Sequence, residues 1–138
     1  MAFLLDTNAI SEVLRSRPNA EFSKWLMELP RAEQFTSSVV AGELLYGALR
    51  SSKPDRFVQL YEHQVLPRLT VLPFDLDCAR VYASVRAELS SKGQPIEDAD
   101  LMIAATALHH RLTVVTANVR HFGRVPGLRV RTFKPGSQ

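Results

Sequence analysis

The chain has little that would cross-link it or anchor it. Among its 138 residues there is one cysteine, Cys78, so no disulfide can form within the chain. That suits a reducing compartment. Set in a helical pattern, Cys78 reads as a small core residue rather than a nucleophile. No apolar run approaches the roughly 20 residues that cross a bilayer. The first residues show no basic region leading into a longer apolar stretch and a cleavage site. The expectation is a cytoplasmic protein with no membrane contact. There is no internal repeat, low-complexity tract or linker between domains. One domain with a substantial core is expected over residues 1–133, with a tail, 134–138, that frays.

Acid is also missing from one end. Residues 101–138 carry six Lys and Arg and no carboxylate, whereas residues 1–100 carry all fourteen acids against eleven Lys and Arg. An acidic site beside a basic flank suits an anionic polymer bound near a cation. Charge alone favours the plainer reading, an ordinary basic surface tail.

What is present begins with Met1 to Ile10, MAFLLDTNAI. The apolar run Ala2-Phe3-Leu4-Leu5 stops at Asp6, as a strand buried on both faces does. Apolar residues Ile10, Val13 and Leu14 then give a short helix from Ala9 to near Arg17-Pro18. Pro18 opens a second helix with the stripe Phe22, Trp25, Leu26 and Leu29, ended by Pro30. A weak strand follows at Gln34–Ser37. Ser37 or Ser38 caps a helix over 39–50, and Pro54 opens another that breaks near Pro67. Residues 70–74 read as a strand, and Asp75 or Asp77 caps the helix carrying Ala79 to Leu89. After the loop 90–95, a helix from Glu97 or Asp98 to about Arg111 leads into the buried strand Leu112–Val115. Leu128–Arg131 alternates like an edge strand. Strands separated by helices imply crossovers, hence an α/β fold whose mostly parallel sheet has helices on both faces.

Four positions break the apolar pattern. Asp6 ends the first strand, at the sheet edge where ligands of open parallel sheets bind. Glu43 sits within Val39-Val40-Ala41-Gly42-Glu43-Leu44-Leu45, which does not absorb an unpaired carboxylate cheaply. Asp100 precedes the apolar Leu101 to Ala105, and Asn118 follows the strand that stops at Thr116. Asp98, two residues from Asp100, reads as a cap. Taken singly, each acid has a structural explanation: a cap for Asp6 or Asp100, a buried hydrogen bond for Glu43. Gathered at one edge they would repel, and some would be forced neutral unless a cation lay among them. A hard divalent ion, Mg²⁺ or Mn²⁺, takes oxygen ligands and keeps several waters, which Thr7, Asn8, Thr116 and Asn118 are placed to orient.

The motifs Leu4-Leu5-Asp6-Thr7-Asn8, Gly42-Glu43, Asp100-Leu101-Met102-Ile103-Ala104-Ala105-Thr106-Ala107 and Leu112-Thr113-Val114-Val115-Thr116-Ala117-Asn118-Val119-Arg120-His121-Phe122 run in order along nearly the whole chain. In this the sequence resembles a PIN-domain ribonuclease, the toxin subunit of a VapBC-type toxin–antitoxin pair, close to the FitB-like branch. The resemblance implies a three-layer α/β/α fold and metal-dependent hydrolysis of RNA phosphodiester bonds. It matches Asp6, Glu43 and Asp100 to the acidic metal-binding positions, with Glu43 or Asp100 as a general base. Asn118 falls where many PIN domains carry a fourth acid, which bears on a second metal. The implied partners are RNA, a VapB-type antitoxin whose tail places a basic side chain among the acids, and a second copy of the chain. The stripe Trp25, Leu26, Leu29 or the helix with Leu45, Tyr46, Leu49 are candidate dimer surfaces, though both read more simply as core. Arg120, His121, Arg124, Arg129 and Arg131 are candidates for RNA phosphate contacts. His121, nearest the acids, reads as an exposed, non-catalytic residue.

Two rival readings remain open on sequence alone. One is a non-catalytic RNA-binding module on the same fold. The other is an aspartyl-phosphate phosphatase, against which Asn8 stands where a second Asp is usual.

Overall fold

The computed structural model describes residues 1–137. Five strands form one sheet, β1 (Phe3–Leu5), β2 (Gln34–Ser37), β3 (Thr70–Leu72), β4 (Thr113–Thr116) and β5 (Val130–Thr132), in the order β3-β2-β1-β4-β5. Every neighbouring pair is parallel. The two inner strands that matter most, β1 and β4, are buried along their whole length, while β3 and β5 at the edges are largely exposed. This is why the first and fourth strands read as unbroken apolar runs and the outer ones did not.

Seven α-helices complete the three-layer α/β/α arrangement: α1 (Thr7–Glu12), α2 (Ala20–Glu28), α3 (Ser38–Leu49), α4 (Pro54–Leu60), α5 (Leu76–Ser91), α6 (Asp98–His109) and α7 (Val119–Phe122). Side-chain caps start four of them. Asp6 accepts from the Ala9 N–H, Asn19 from Phe22, Ser37 from Val40 and Asp75 from Cys78. So Ser37 and Asp75, not Ser38 and Asp77, are the caps. Asn19, not Pro18, starts α2. The helix after Pro54 loosens into a π turn at Tyr61–Val65 and a 3₁₀ turn at Leu66–Arg68, where Pro67 cannot continue the ladder.

One expectation gives way. The first helix stops at Glu12, well before Pro18. Glu12 is buried, and its Oε2 accepts from the backbone N–H of Asn19 at 2.7 Å and of Gly136 at 2.8 Å. Arg15 Nε lies 3.5 Å from the other oxygen and donates through Nη1 to the Gly136 carbonyl. Arg17 bridges Ser137, and Asn19 Nδ2 donates to the Lys134 carbonyl. One buried carboxylate thus turns the chain out of α1 and ties down residues 134–137; Gln138 lies outside the described residues. A Cβ on Gly136 would meet the Arg17 carbonyl oxygen at 2.2 Å, so the approach requires glycine. Glu12→Ala should lower the unfolding free energy by about 2–4 kcal/mol, because it removes two half-buried hydrogen bonds to a charged, buried carboxylate. Urea denaturation reads this, and wild-type stability in the variant contradicts it.

Candidate active site

The sheet edge at the ends of β1 and β4 is built by the backbone ladder. Leu5 pairs with Val115, and the Asp6 N–H continues the ladder to the Val115 carbonyl at 3.2 Å. The Asp6 side chain leaves this edge buried, with Oδ1 accepting from the Ala9 N–H at 2.8 Å. It therefore caps α1 and occupies the site edge at once. Next door, buried Thr36 donates its hydroxyl to the Leu5 carbonyl at 2.7 Å, which fixes the end of β2 and the entry to α3. Glu43, in the second turn of α3, comes back across the edge and accepts from Thr7 Oγ1 at 2.6 Å.

Asp100 lies in the first turn of α6 with its side chain 19% exposed. Beyond β4, the Asn118 N–H donates to Thr116 Oγ1 at 2.8 Å, folding the chain over the same edge. Burial pushes the Asp6 carboxyl up from 3.8 to about 6; the Thr116 hydroxyl and the Ala9 N–H pull against this, and the charges of Asp100 and Glu43 add to it. The three acids thus share one electrostatic field. Asn8 is exposed on α1, and its side chain makes no hydrogen bond among the described residues.

The acids share an edge without forming a finished ligand cluster. Among the described residues, no three acidic or imidazole side chains are grouped closely enough to hold one ion. Glu43 is bonded to Thr7, and Asp100 lies against His121. The donors nevertheless suit a hard divalent ion, because they are all oxygen and underprovided with positive charge. Among the described residues neither Asp6 nor Glu43 has a cationic side chain within ion-pair distance.

The PIN domain model matches residues 3–128. The chain belongs to the PIN-domain family. It is 37% identical over 133 residues to the tRNA(fMet)-specific endonuclease VapC of Salmonella typhimurium, covering 96% of this chain and 98% of that one. It is 38% identical to the toxin FitB of Neisseria gonorrhoeae, covering 86% and 89%. Among solved structures, VapBC2 from Rickettsia felis bound to a promoter DNA fragment superposes with a TM-score of 0.88 at 30% identity, covering 97% and 100%. FitAcB from Neisseria gonorrhoeae gives 0.86 at 34%, covering 93% and 95%.

Several side chains around this PIN-domain edge sit elsewhere than the sequence suggested. His121 is not a free surface group. It is half-buried, and its Nδ1 stands 3.1 Å from Asp100 Oδ2 and 3.1 Å from the Asn118 amide. Asp98 is not the cap of α6; it accepts from Arg86 and Tyr82 on α5. Arg129 precedes β5 and donates to the Arg111 carbonyl ahead of β4, so it lies at the opposite edge of the parallel sheet. Arg131 is also engaged, its guanidinium 4.2 Å from the centre of the Trp25 ring. Arg124 donates to the Pro95 carbonyl. Arg120, exposed on α7, is the cation of this group that stands on the site edge with its side chain in no hydrogen bond among the described residues. A cleft of about 250 Å³ opens beside Glu43, lined by Thr7, Ser11, Leu44, Gly47, Phe57 and Tyr61 among others. No sequence signal marked it, because its walls come from α1, α3, α4 and the π turn.

The raised Asp6 carboxyl has a stability consequence. Between 3.8 and about 6 the folded protein binds a proton that the unfolded chain has released, so stability falls as pH rises through that window. The shift from 3.8 to about 6 corresponds to about 3 kcal/mol. Asp6→Asn keeps a capping side chain. In EDTA it should match wild type near pH 4 and exceed it by about 3 kcal/mol at pH 7, the full worth of that shift. Urea denaturation across pH checks this; equal stability at pH 7 contradicts it.

Proposed function

We propose that this PIN-domain protein is a metal-dependent endoribonuclease acting as the toxin of a toxin–antitoxin pair. The observation that carries the reading is the gathering of Asp6, Glu43 and Asp100 around one buried edge, with the Asp6 carboxyl pushed up to about 6. Such an edge is poised for a cation. Asp6, Glu43 and Asp100 would hold Mg²⁺ or Mn²⁺. Bound there, the ion supplies Lewis-acid stabilisation of the phosphoryl oxygens and a lowered pKa for the attacking water.

The chain's own groups do the remainder. Thr7 fixes Glu43 through Oε1, so that Oε2 is presented as a general base toward water. Thr116 braces the Asn118 backbone, and the Asn118 amide orients by hydrogen bonding without adding charge. Arg120, at the rim, meets the RNA backbone. Preorganised charges and dipoles of this kind account for much of the rate in hydrolytic sites.

Partners follow the same reading. The solved relatives FitAcB from Neisseria gonorrhoeae and VapBC2 from Rickettsia felis carry the names of toxin–antitoxin pairs. A VapB-type antitoxin fits here by laying its tail in the cleft beside Glu43 and setting a basic side chain among the acids. Homodimerisation is best placed on α3, where Tyr46 is 60% and Leu49 65% exposed; the Trp25, Leu26 and Leu29 stripe packs on the core instead. No helix among the described residues is long and apolar enough to cross a membrane, and the cytoplasm is the proposed compartment.

Expression in bacteria should yield RNA with new, discrete 5′ ends. Asp6→Asn, Glu43→Gln and Asp100→Asn should each reduce cleavage on the order of 10²–10³-fold or more, with folded protein still recovered. Mapping of RNA ends tests this, and an active Asp6→Asn enzyme overturns the assignment.

A further inference from the structure

We propose that His121 is a positioning residue that holds Asp100 in its ion-binding orientation through an Nδ1–H hydrogen bond. The inference rests on the metal-dependent reading above and adds a residue to it. His121 occupies α7, three residues beyond Asn118. Its side chain is 31% exposed, and Nδ1 lies 3.1 Å from Asp100 Oδ2. The Asn118 amide stands at the same distance from the same nitrogen.

The contact with Asp100 decides the tautomer. An ionised Asp100 offers only lone pairs, so Nδ1 must carry the hydrogen. The Asn118 amide nitrogen, Nδ2, faces the same ring nitrogen as placed; with that N–H given to Asp100, the amide is turned over so that its oxygen faces the ring. Asp100 Oδ1 makes no hydrogen bond among the described residues, so the contact engages one carboxylate oxygen and leaves the other for the ion. Outer partners of this kind orient a ligating carboxylate, and their loss typically costs 10–100-fold in metal affinity. Asn118 thereby contributes twice, once by not adding a fourth negative charge and once by bracing the ring that braces Asp100.

Calorimetric titration of Mn²⁺ into the metal-free protein tests this without reference to RNA cleavage. His121→Leu removes the donor, whereas His121→Asn keeps an N–H near the Nδ1 position. His121→Leu should bind Mn²⁺ at least about 10-fold more weakly than wild type, at the lower end of that outer-partner effect. His121→Asn should stay within about 3-fold of wild type, well short of that loss. Both should unfold like wild type in EDTA. Wild-type affinity in His121→Leu overturns the proposal. So does a loss in His121→Asn as large as that in His121→Leu, which would make the outer ring nitrogen, Nε2, the group that counts. Absence of Mn²⁺ binding in wild type, or unaltered binding in Asp6→Asn, would instead strike the metal-dependent reading itself.

Discussion

The structure is governed by an unfavourable contact. A carboxylate at the buried end of a central strand, Asp6, lies in the field of two more, and both burial and like charge oppose its ionisation. Proteins rarely leave such a group unpaired. Here Asp6 receives the Ala9 N–H and the influence of the Thr116 hydroxyl but no cationic side chain. The fold accepts a local cost at this edge, which is the ground for the hard cation proposed there.

The rest of the molecule makes that cost sustainable. Parallel pairing of β1 with β4 brings Asp6 and Thr116 to a common level, because both strands run toward the same edge. Thr36, bonded to the Leu5 carbonyl, aligns β2 so that α3 departs beside α1. Thr7 and Glu43 then meet across that gap. On the other flank, α6 and α7 bring Asp100 and His121 together. At the far end of α1, Glu12 fastens the chain by accepting from Asn19 and Gly136. The helix that presents Thr7 is thus anchored at both ends by a carboxylate, exposed to neighbouring acids at one and satisfied at the other.

Much of this was legible in the sequence because its signals are local. The runs Phe3–Leu5 and Val114–Val115 are apolar since inner parallel strands are covered on both faces. Ser37 and Asp75 announce helix starts through bonds made three residues away. Asp6 posed a choice between cap and site residue; the bond from the Ala9 N–H makes it a cap, and the same position leaves it free to be the site residue proposed above. What stayed hidden depended on distant partners. Glu12 ends α1 early by bonding Gly136, a partner 124 residues away. His121 reads as a surface group until Asp100 is brought beside it. Arg129 looked like its neighbour Arg120 in sequence, but the direction of β5 sends the two to opposite edges of the sheet. Nor could spacing show that Glu43 meets Thr7 and Asp100 meets His121.

The central claim is that this edge is completed by one hard ion shared by acids from the end of β1, from α3 and from α6. Anomalous diffraction from crystals soaked in Mn²⁺ addresses it most directly. A single strong peak bounded by Asp6, Glu43 and Asp100 is expected, with Asp100 still held against His121. A peak elsewhere, or none at this edge with the three carboxylates still apart, would contradict it.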